Sequence, residues 1–272
     1  MSFTNKVCII TGGNSGLGKG IAIKLAQEGA IIVIVGRSTK TLDEAKNEII
    51  SNGTMAENIL AISVDISKKE DIQQIVDMTI TKYGKIDVLV NNAGVLGSPF
   101  EADTESFENF EYIFNTNVHA VVHLCKAAIP YLKVTKGNIV NISSVAALLP
   151  SAMTAYYSMS KAALDMYTKC LASKLTGDNV RVNGIMPGAI KTPMFSKFAC
   201  APGEVPVISE ESIETVANTL NKNIPMKRCG LPIEIANAVA FLASDGASYI
   251  SGSILVVDGA LLCHDKYNEM FN

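Results

Sequence analysis

The chain has 272 residues, 23 basic and 26 acidic, with 48% apolar and only 18% charged residues, and a mean hydropathy of +0.26. High apolar content with a net charge of -3 excludes disorder, and a pI of about 5.7 argues against nucleic acid as a partner. The longest unbroken apolar runs, Ala30 to Val35 among them, fall far short of the ~18 residues that span a bilayer, so the shortage of charge points to a sheet buried on both faces, to contact between copies, or to both.

Short β-branched runs recur along the chain. They are Val7 to Thr11, Ile31 to Val35, Ile59 to Val64, Ile86 to Val90, Asn138 to Ile142, Val180 to Ile185 and Ser253 to Val257. Runs without polar alternation suit strands covered on both faces of a parallel sheet. Helical patterns lie between them. Leu17 to Gly29 is the first. Thr41-Leu-Asp-Glu44 and Ser67-Lys-Lys-Glu70 read as capping boxes that open the next two. Ser209 to Leu220 is helical in pattern, and Pro232 sits at a first helical position of a helix reaching Ser244. No linker or repeat interrupts the alternation. The expected fold is therefore α/β: one Rossmann-type, doubly wound parallel sheet of about seven strands, with helices on both faces, over residues 1–272.

The six cysteines are scattered and form no C-x-x-C pair, and Met1 to Lys6 has no signal-peptide character. Reduced thiols in a cytoplasmic protein are expected. The N-x-S/T matches at Asn52 and Asn141 are then chance. His119 and His123 share a helix face, but no Glu lies between them and no third ligand is apparent, so no metal site is expected.

In such folds ligands bind beyond the carboxyl ends of the strands. Thr11-Gly-Gly-Asn-Ser-Gly-Leu-Gly18 follows the first strand and opens the first helix. Gly12 permits the turn, Gly16 lets backbone approach a pyrophosphate, and Gly18 allows close packing, while the helix N-terminus offers free N–H groups. The spacing G-x3-G-x-G is a variant of the dinucleotide fingerprint. The second strand ends at Gly36-Arg37-Ser38-Thr39, where an acid would bond the ribose hydroxyl of NAD. Arg37 is either a solvated loop charge or the fork that pairs with a 2′-phosphate, with Ser38 and Thr39 adding hydroxyls. The missing carboxylate and the added cation favour NADP(H) over NAD(H). Asp65 either accepts from an adenine amino group or makes a turn. Asn91-Asn-Ala93-Gly94 ends the fourth strand with small residues that leave room for a ribose.

Tyr157 and Lys161 are i and i+4 on one helix face. An ammonium near a phenol favours the phenolate, and lowering a tyrosine pKa from ~10 to near 7 takes about 4 kcal/mol. Ser143 and Ser144 end the fifth strand, and Asn117 sits within a long helix where its propensity is mediocre.

Together, T-G-x3-G-x-G (Thr11 to Gly18), N-N-A-G (Asn91 to Gly94), Asn117, Ser144, Y-x3-K (Tyr157, Lys161) and P-G-x3-T (Pro187, Gly188, Thr192) resemble the short-chain dehydrogenase/reductase family, from Lys6 to Gly259. The resemblance implies a homotetramer or homodimer and an NAD(P)-dependent reaction on a small-molecule ketone or secondary alcohol. It implies Tyr157 as general acid in reduction and base in oxidation. Lys161 would hold the nicotinamide ribose and lower the Tyr157 pKa. Ser144, thirteen residues before Tyr157, would bond the substrate oxygen, and Asn117 would hold a water that links Lys161 to solvent. Pro187, Gly188, Ile190 and Thr192 would line the nicotinamide. Ser15, Leu17, Ser38, Ile66 and Ala93 complete the implied cofactor contacts. A catalytically idle dinucleotide sensor is the competing reading, and the intact catalytic set speaks against it. The segment 189–226, with Phe198, Cys200, Pro202 and Pro206, is long for a connection and is expected to close over substrate. Its apolar content hints at a hydrophobic carbonyl compound, with Met194 and Phe195 as pocket residues. Val118 to Leu132 and Ala162 to Leu175 are apolar on more than one face and are expected at subunit contacts.

Overall fold

A computed structural model describes residues 2–99, 101, 103–198 and 209–263. Seven strands form one parallel sheet in the order β3-β2-β1-β4-β5-β6-β7. They are β1 (Val7–Thr11), β2 (Ile31–Gly36), β3 (Ile59–Ser63), β4 (Val88–Asn91), β5 (Asn138–Ile142), β6 (Arg181–Pro187) and β7 (Ile254–Val257). Helices α1 (Gly16–Gln27), α2 (Thr39–Ser51), α3 (Lys69–Tyr83), α4 (Phe107–Phe114), α5 (Ala120–Thr135), α6 (Ala155–Leu175), α7 (Glu210–Asn221) and α8 (Pro232–Ala243) connect them.

Alternate residues of each strand feed two apolar layers. On one face Cys8, Ile10, Ile32 and Ile34 pack with Ile21, Leu25, Leu42 and Val239 from α1, α2 and α8. On the other, Val7, Ile9, Val33 and Val35 pack with Ile75 of α3, Leu124 of α5 and Leu164 of α6. All five β1 residues are buried, which is why these strands show no polar alternation. A small third cluster of Phe195, Ala217, Ile224 and Cys229 lies under α7.

Two expected helix starts differ. Helix α2 begins at Thr39 because Ser38 is its N-cap, accepting from the Thr41 N–H at 3.4 Å; Thr41 lies inside the first turn. Helix α3 begins at Lys69 with no side-chain cap. Ser67 is instead held in a turn, donating from N (3.0 Å) and Oγ (2.8 Å) to Asp65 Oδ1. Ser209 does cap α7, reciprocally with Ser212. The helix around Asn117 is not regular: one π-helical turn, Asn115–His119, joins α4 to α5, and such turns concentrate at functional sites.

The chain winds from β1 outward to β3 and returns to β4, so β1 and β4 are neighbours whose crossovers diverge. A crevice opens at such a switch point. Thr11 closes its floor, accepting at Oγ1 from the N–H groups of Asn92 and Ala93, each at 3.0 Å.

Candidate active site

The glycine turn stands at that crevice. Gly12 and Gly16 have φ of +65° and +51°, a left-handed backbone that glycine adopts without strain. A side chain on Gly18 would strike the Gly12 carbonyl and the Asn92 amide, so Gly18 packs against the turn itself. Ser15 precedes α1 in extended conformation and its side chain caps nothing, which leaves the first N–H groups of α1 for an anion. Leu17 anchors the turn in the apolar layer behind it. Asn14 had no role in the sequence reading. Its Nδ2 donates to Thr41 Oγ1 at 2.9 Å and its side chain lies against Gly36, tying the turn to the end of β2. There Arg37 is exposed.

Not every expected contact is available in the form anticipated. The Asn91 amide donates to Asn141 Oδ1 (2.8 Å) and Cys125 Sγ (3.3 Å), so it pins β4 to β5 and only its main chain faces outward. Asp65 Oδ1 holds the Ser67 turn, and Ile66 packs, partly buried, against the sheet. At the far end Gly188 donates to Val257 O at 2.9 Å, Ile190 bridges to Gly230, and Thr192, buried, donates to Ile190 O at 3.3 Å. A side chain on Gly16 would meet Thr192 at 3.5 Å, so the loop after β6 lies over the phosphate turn.

Helix α6 runs beside β5 and brings the reactive side chains together. Tyr157 (8% exposed) and Lys161 (3% exposed) lie on its inner face. Lys161 Nζ is 5.6 Å from the Tyr157 ring centroid and donates to Ile142 O at 2.8 Å. Ser144 hydrogen-bonds the Tyr157 side chain, whereas Ser143 turns inward, its Oγ 3.5 Å from Lys161 O. Gly94 completes the wall: a methyl group there would sit 3.3 Å from both Asn117 Oδ1 and Lys161 Nζ. The π turn aims Asn117 inward, where Oδ1 accepts from Val95 N (2.8 Å) and Nδ2 donates to Val95 O (2.9 Å) and Ser160 Oγ (3.0 Å). The Asn117 side chain is thus a clamp on the β4–α4 loop. Ser160, missed in the sequence, links that clamp to Tyr157 O at 2.7 Å.

Burial sets the charge states. It pushes the Tyr157 hydroxyl above its ordinary value, and the Ser144 bond pulls back less strongly. The expected fall toward neutrality is therefore not what this arrangement produces: desolvation outweighs the hydrogen bond, and the Lys161 ammonium is directed at a carbonyl. Burial also lowers Lys161 to about 8, against the attraction of Asp165.

His119 Nδ1 bonds Asn115 Oδ1 at 2.9 Å within its own turn, and no group of three metal-ligating side chains occurs among the described residues. Cys200, Pro202 and Pro206 lie outside the described residues.

A switch-point crevice, an uncapped helix N-terminus and a buried Ser-Tyr-Lys cluster define a nicotinamide-dinucleotide oxidoreductase of the Rossmann type. The family model described as enoyl-(acyl carrier protein) reductase matches residues 12–261. A 3-oxoacyl-[acyl-carrier-protein] reductase FabG of Thermotoga maritima is 34% identical over 96% of this chain and 100% of that protein. A short-chain dehydrogenase/reductase of unknown function from Caenorhabditis elegans, solved with cofactor, superposes with a TM-score of 0.88 at 33% identity, covering 98% of each chain. L-sorbose reductase of Gluconobacter frateurii, solved with NADPH and L-sorbose, gives a TM-score of 0.85 at 34% identity, covering 97% of this chain and 99% of that one. The chain belongs to the short-chain dehydrogenase/reductase family, NAD(P)-dependent enzymes acting on CH–OH and C=O groups.

Proposed function

We propose that this enzyme is an NADP(H)-dependent oxidoreductase interconverting a ketone and a secondary alcohol, with Tyr157 as general acid in reduction and general base in oxidation. The observation that carries the reading is the buried meeting of Ser144, Tyr157 and Lys161 at the carboxyl edge of β5. When bound, the nicotinamide supplies or takes the hydride; the chain supplies geometry and the proton path. Ser144 orients the substrate oxygen toward the Tyr157 hydroxyl. Burial keeps that hydroxyl protonated at neutral pH, so it is ready to donate when a carbonyl is reduced. Lys161 holds the nicotinamide ribose hydroxyls, and Asn117 sustains the water link from Lys161 to solvent.

Gly12, Ser15, Gly16, Leu17 and Gly18 cradle the pyrophosphate on the N-terminus of α1. Arg37 pairs with the 2′-phosphate, and Ser38, whose oxygen caps α2, retains its hydroxyl proton to donate to the same group. Asp65 and Ile66 flank the adenine. Asn91 through its main chain, Ala93 and Gly94 face the ribose, and Pro187, Gly188, Ile190 and Thr192 line the nicotinamide. Within the segment 189–226, Met194 and Phe195 of the described part stand on the substrate side. Twelve consecutive residues from Val145 to Tyr156 carry no charge, and Leu148 and Met153 among them are exposed. This supports a lipophilic, uncharged carbonyl compound. The outer face of α6 exposes Met159 and Met166, supporting assembly into a homodimer or homotetramer through α5 and α6, in the cytoplasm.

The test is oxidation of NADPH and of NADH across a panel of apolar ketones, by the chain and by Tyr157→Phe. General acid–base groups contribute about 10²–10⁴-fold, and a loss of that size is expected with NADPH the better reductant. Unchanged turnover in Tyr157→Phe sinks the catalytic assignment, and equal use of NADH sinks the Arg37 assignment.

A further inference from the structure

Gly36, the last residue of β2, is a glycine for want of space and not for its backbone. Its φ is not positive, and it pairs in register with Ser63 of β3. A Cβ added to it would meet Asn14 Oδ1 at 2.5 Å, Cγ at 2.8 Å and Cβ at 3.3 Å. The contact is backed from both sides. Gly13 N donates to Val35 O at 3.2 Å, which seats the phosphate turn on the end of β2. Asn14 Nδ2 donates to Thr41 Oγ1 at 2.9 Å, which keeps the amide from swinging aside.

Proton counting fixes which way that amide faces. Thr41 Oγ1 has one proton and donates it to Ser38 O at 3.1 Å. Toward Asn14 it can only accept, so Asn14 gives Thr41 its NH2 group and turns its oxygen to Gly36. The end of the second strand is where a dinucleotide-binding fold places the acid that holds the ribose 2′-hydroxyl of NAD. An acid at position 36 would be pressed against a fixed carbonyl oxygen. That is a steric clash and, between two hydrogen-bond acceptors, a repulsion.

We propose that Asn14 is a specificity-determining residue: its amide oxygen fills the space over Gly36, closes the position from which an acid would select NAD(H), and leaves the end of β2 to Arg37. The preference is then enforced from the phosphate turn as well as from the strand end. The bonds from Asn14 to Thr41 and from Thr41 to Ser38 also brace the turn that carries Arg37. This rests on the NADP(H) reading above and deepens it, since it names what keeps the competing cofactor out.

Calorimetric titration with NADP+ and with NAD+ reads the effect without turnover. Gly36→Asp alone is expected to gain no affinity for NAD+ and to lower the Tm of the cofactor-free chain by about 5 °C, the scale of an overpacked contact in a chain of this size. Asn14→Ala removes the amide and leaves nothing nearer than 3.3 Å to a Cβ at position 36. In that background Gly36→Asp is expected to cost far less Tm. It should also bind NAD+ about tenfold more tightly than Gly36→Asp alone, the worth of a hydrogen bond to a charged group. A Gly36→Asp chain that takes NAD+ as tightly as the double variant overturns the proposal, and so do Tm losses that simply add. Should Gly36→Asp not fold, Gly36→Ala brings the Cβ alone. It should lower the Tm of the native chain and not that of Asn14→Ala; the same drop in both backgrounds overturns the proposal. A native chain that binds NAD+ as tightly as NADP+ defeats the Arg37 assignment, while tighter NAD+ binding by the double variant than by Gly36→Asp still upholds Asn14.

Discussion

Lys161 shows how a single residue can oppose stability and serve chemistry. Its ammonium is buried with one carbonyl acceptor, and its pKa falls from 10.5 to about 8. A depressed lysine binds fewer protons folded than unfolded between those two values, so stability rises with pH across that window. Below about 8 the penalty is present in full, of the order of 3 kcal/mol. Lys161→Met is therefore expected to abolish turnover and to raise the urea midpoint at pH 7.5, an advantage that shrinks toward pH 10. A lower midpoint at pH 7.5 would show that the lost Ile142 bond matters more than the relieved charge. Residue types and spacing on the chain single out Tyr157, Lys161 and Ser144, because a helical period and a strand end are local signals. Ser160 carries no such mark: its importance comes from the Asn117 side chain that α6 packs against.

At the scale of elements, the junctions decide the site. The turn from β1 to α1 depends on Gly18 lying flat against the Gly12 carbonyl, which is backbone and cannot swing aside. Gly18→Ala should unwind the first turn of α1, costing about 1–3 kcal/mol in stability and at least tenfold in NADPH affinity by fluorescence titration. Retained affinity would mean that the turn does not hold the pyrophosphate. Capping motifs were the least dependable local signals. Thr41 and Ser67 both have the right chemistry, yet Ser38 takes the first cap and Asp65 removes Ser67 from the second. Competing hydroxyls and carboxylates a few residues apart are resolved by where the preceding strand ends. The π turn at Asn115–His119 is likewise invisible in a helical pattern, since one extra residue per turn barely disturbs a periodicity that stays apolar on either side.

For the whole molecule, two apolar layers sandwiching a seven-stranded sheet absorb most of the apolar excess. What remains outside includes Met159 (50% exposed) and Met166 (59% exposed), two turns apart on α6, on the helix that carries the dyad. Met166→Glu is expected to lower the sedimenting mass toward the 29.0 kDa of one chain. A native chain that already sediments as a monomer refutes the assembly. No helix among the described residues is long and apolar enough to cross a membrane.

The amino-acid sequence by itself determined the alternation of strands and helices, the phosphate turn, the Tyr157–Lys161 spacing and the membership these motifs indicate. Each is written in neighbours a few residues apart, through side-chain periodicity and backbone preference. Only the tertiary structure decided that Asn117 grips Val95 and that Asn14 ties the phosphate turn to Thr41. These are meetings between separate elements, fixed by packing at the strand ends. The same packing sets the protonation of the buried dyad, because desolvation depends on everything that closes around a group and not on its place in the chain.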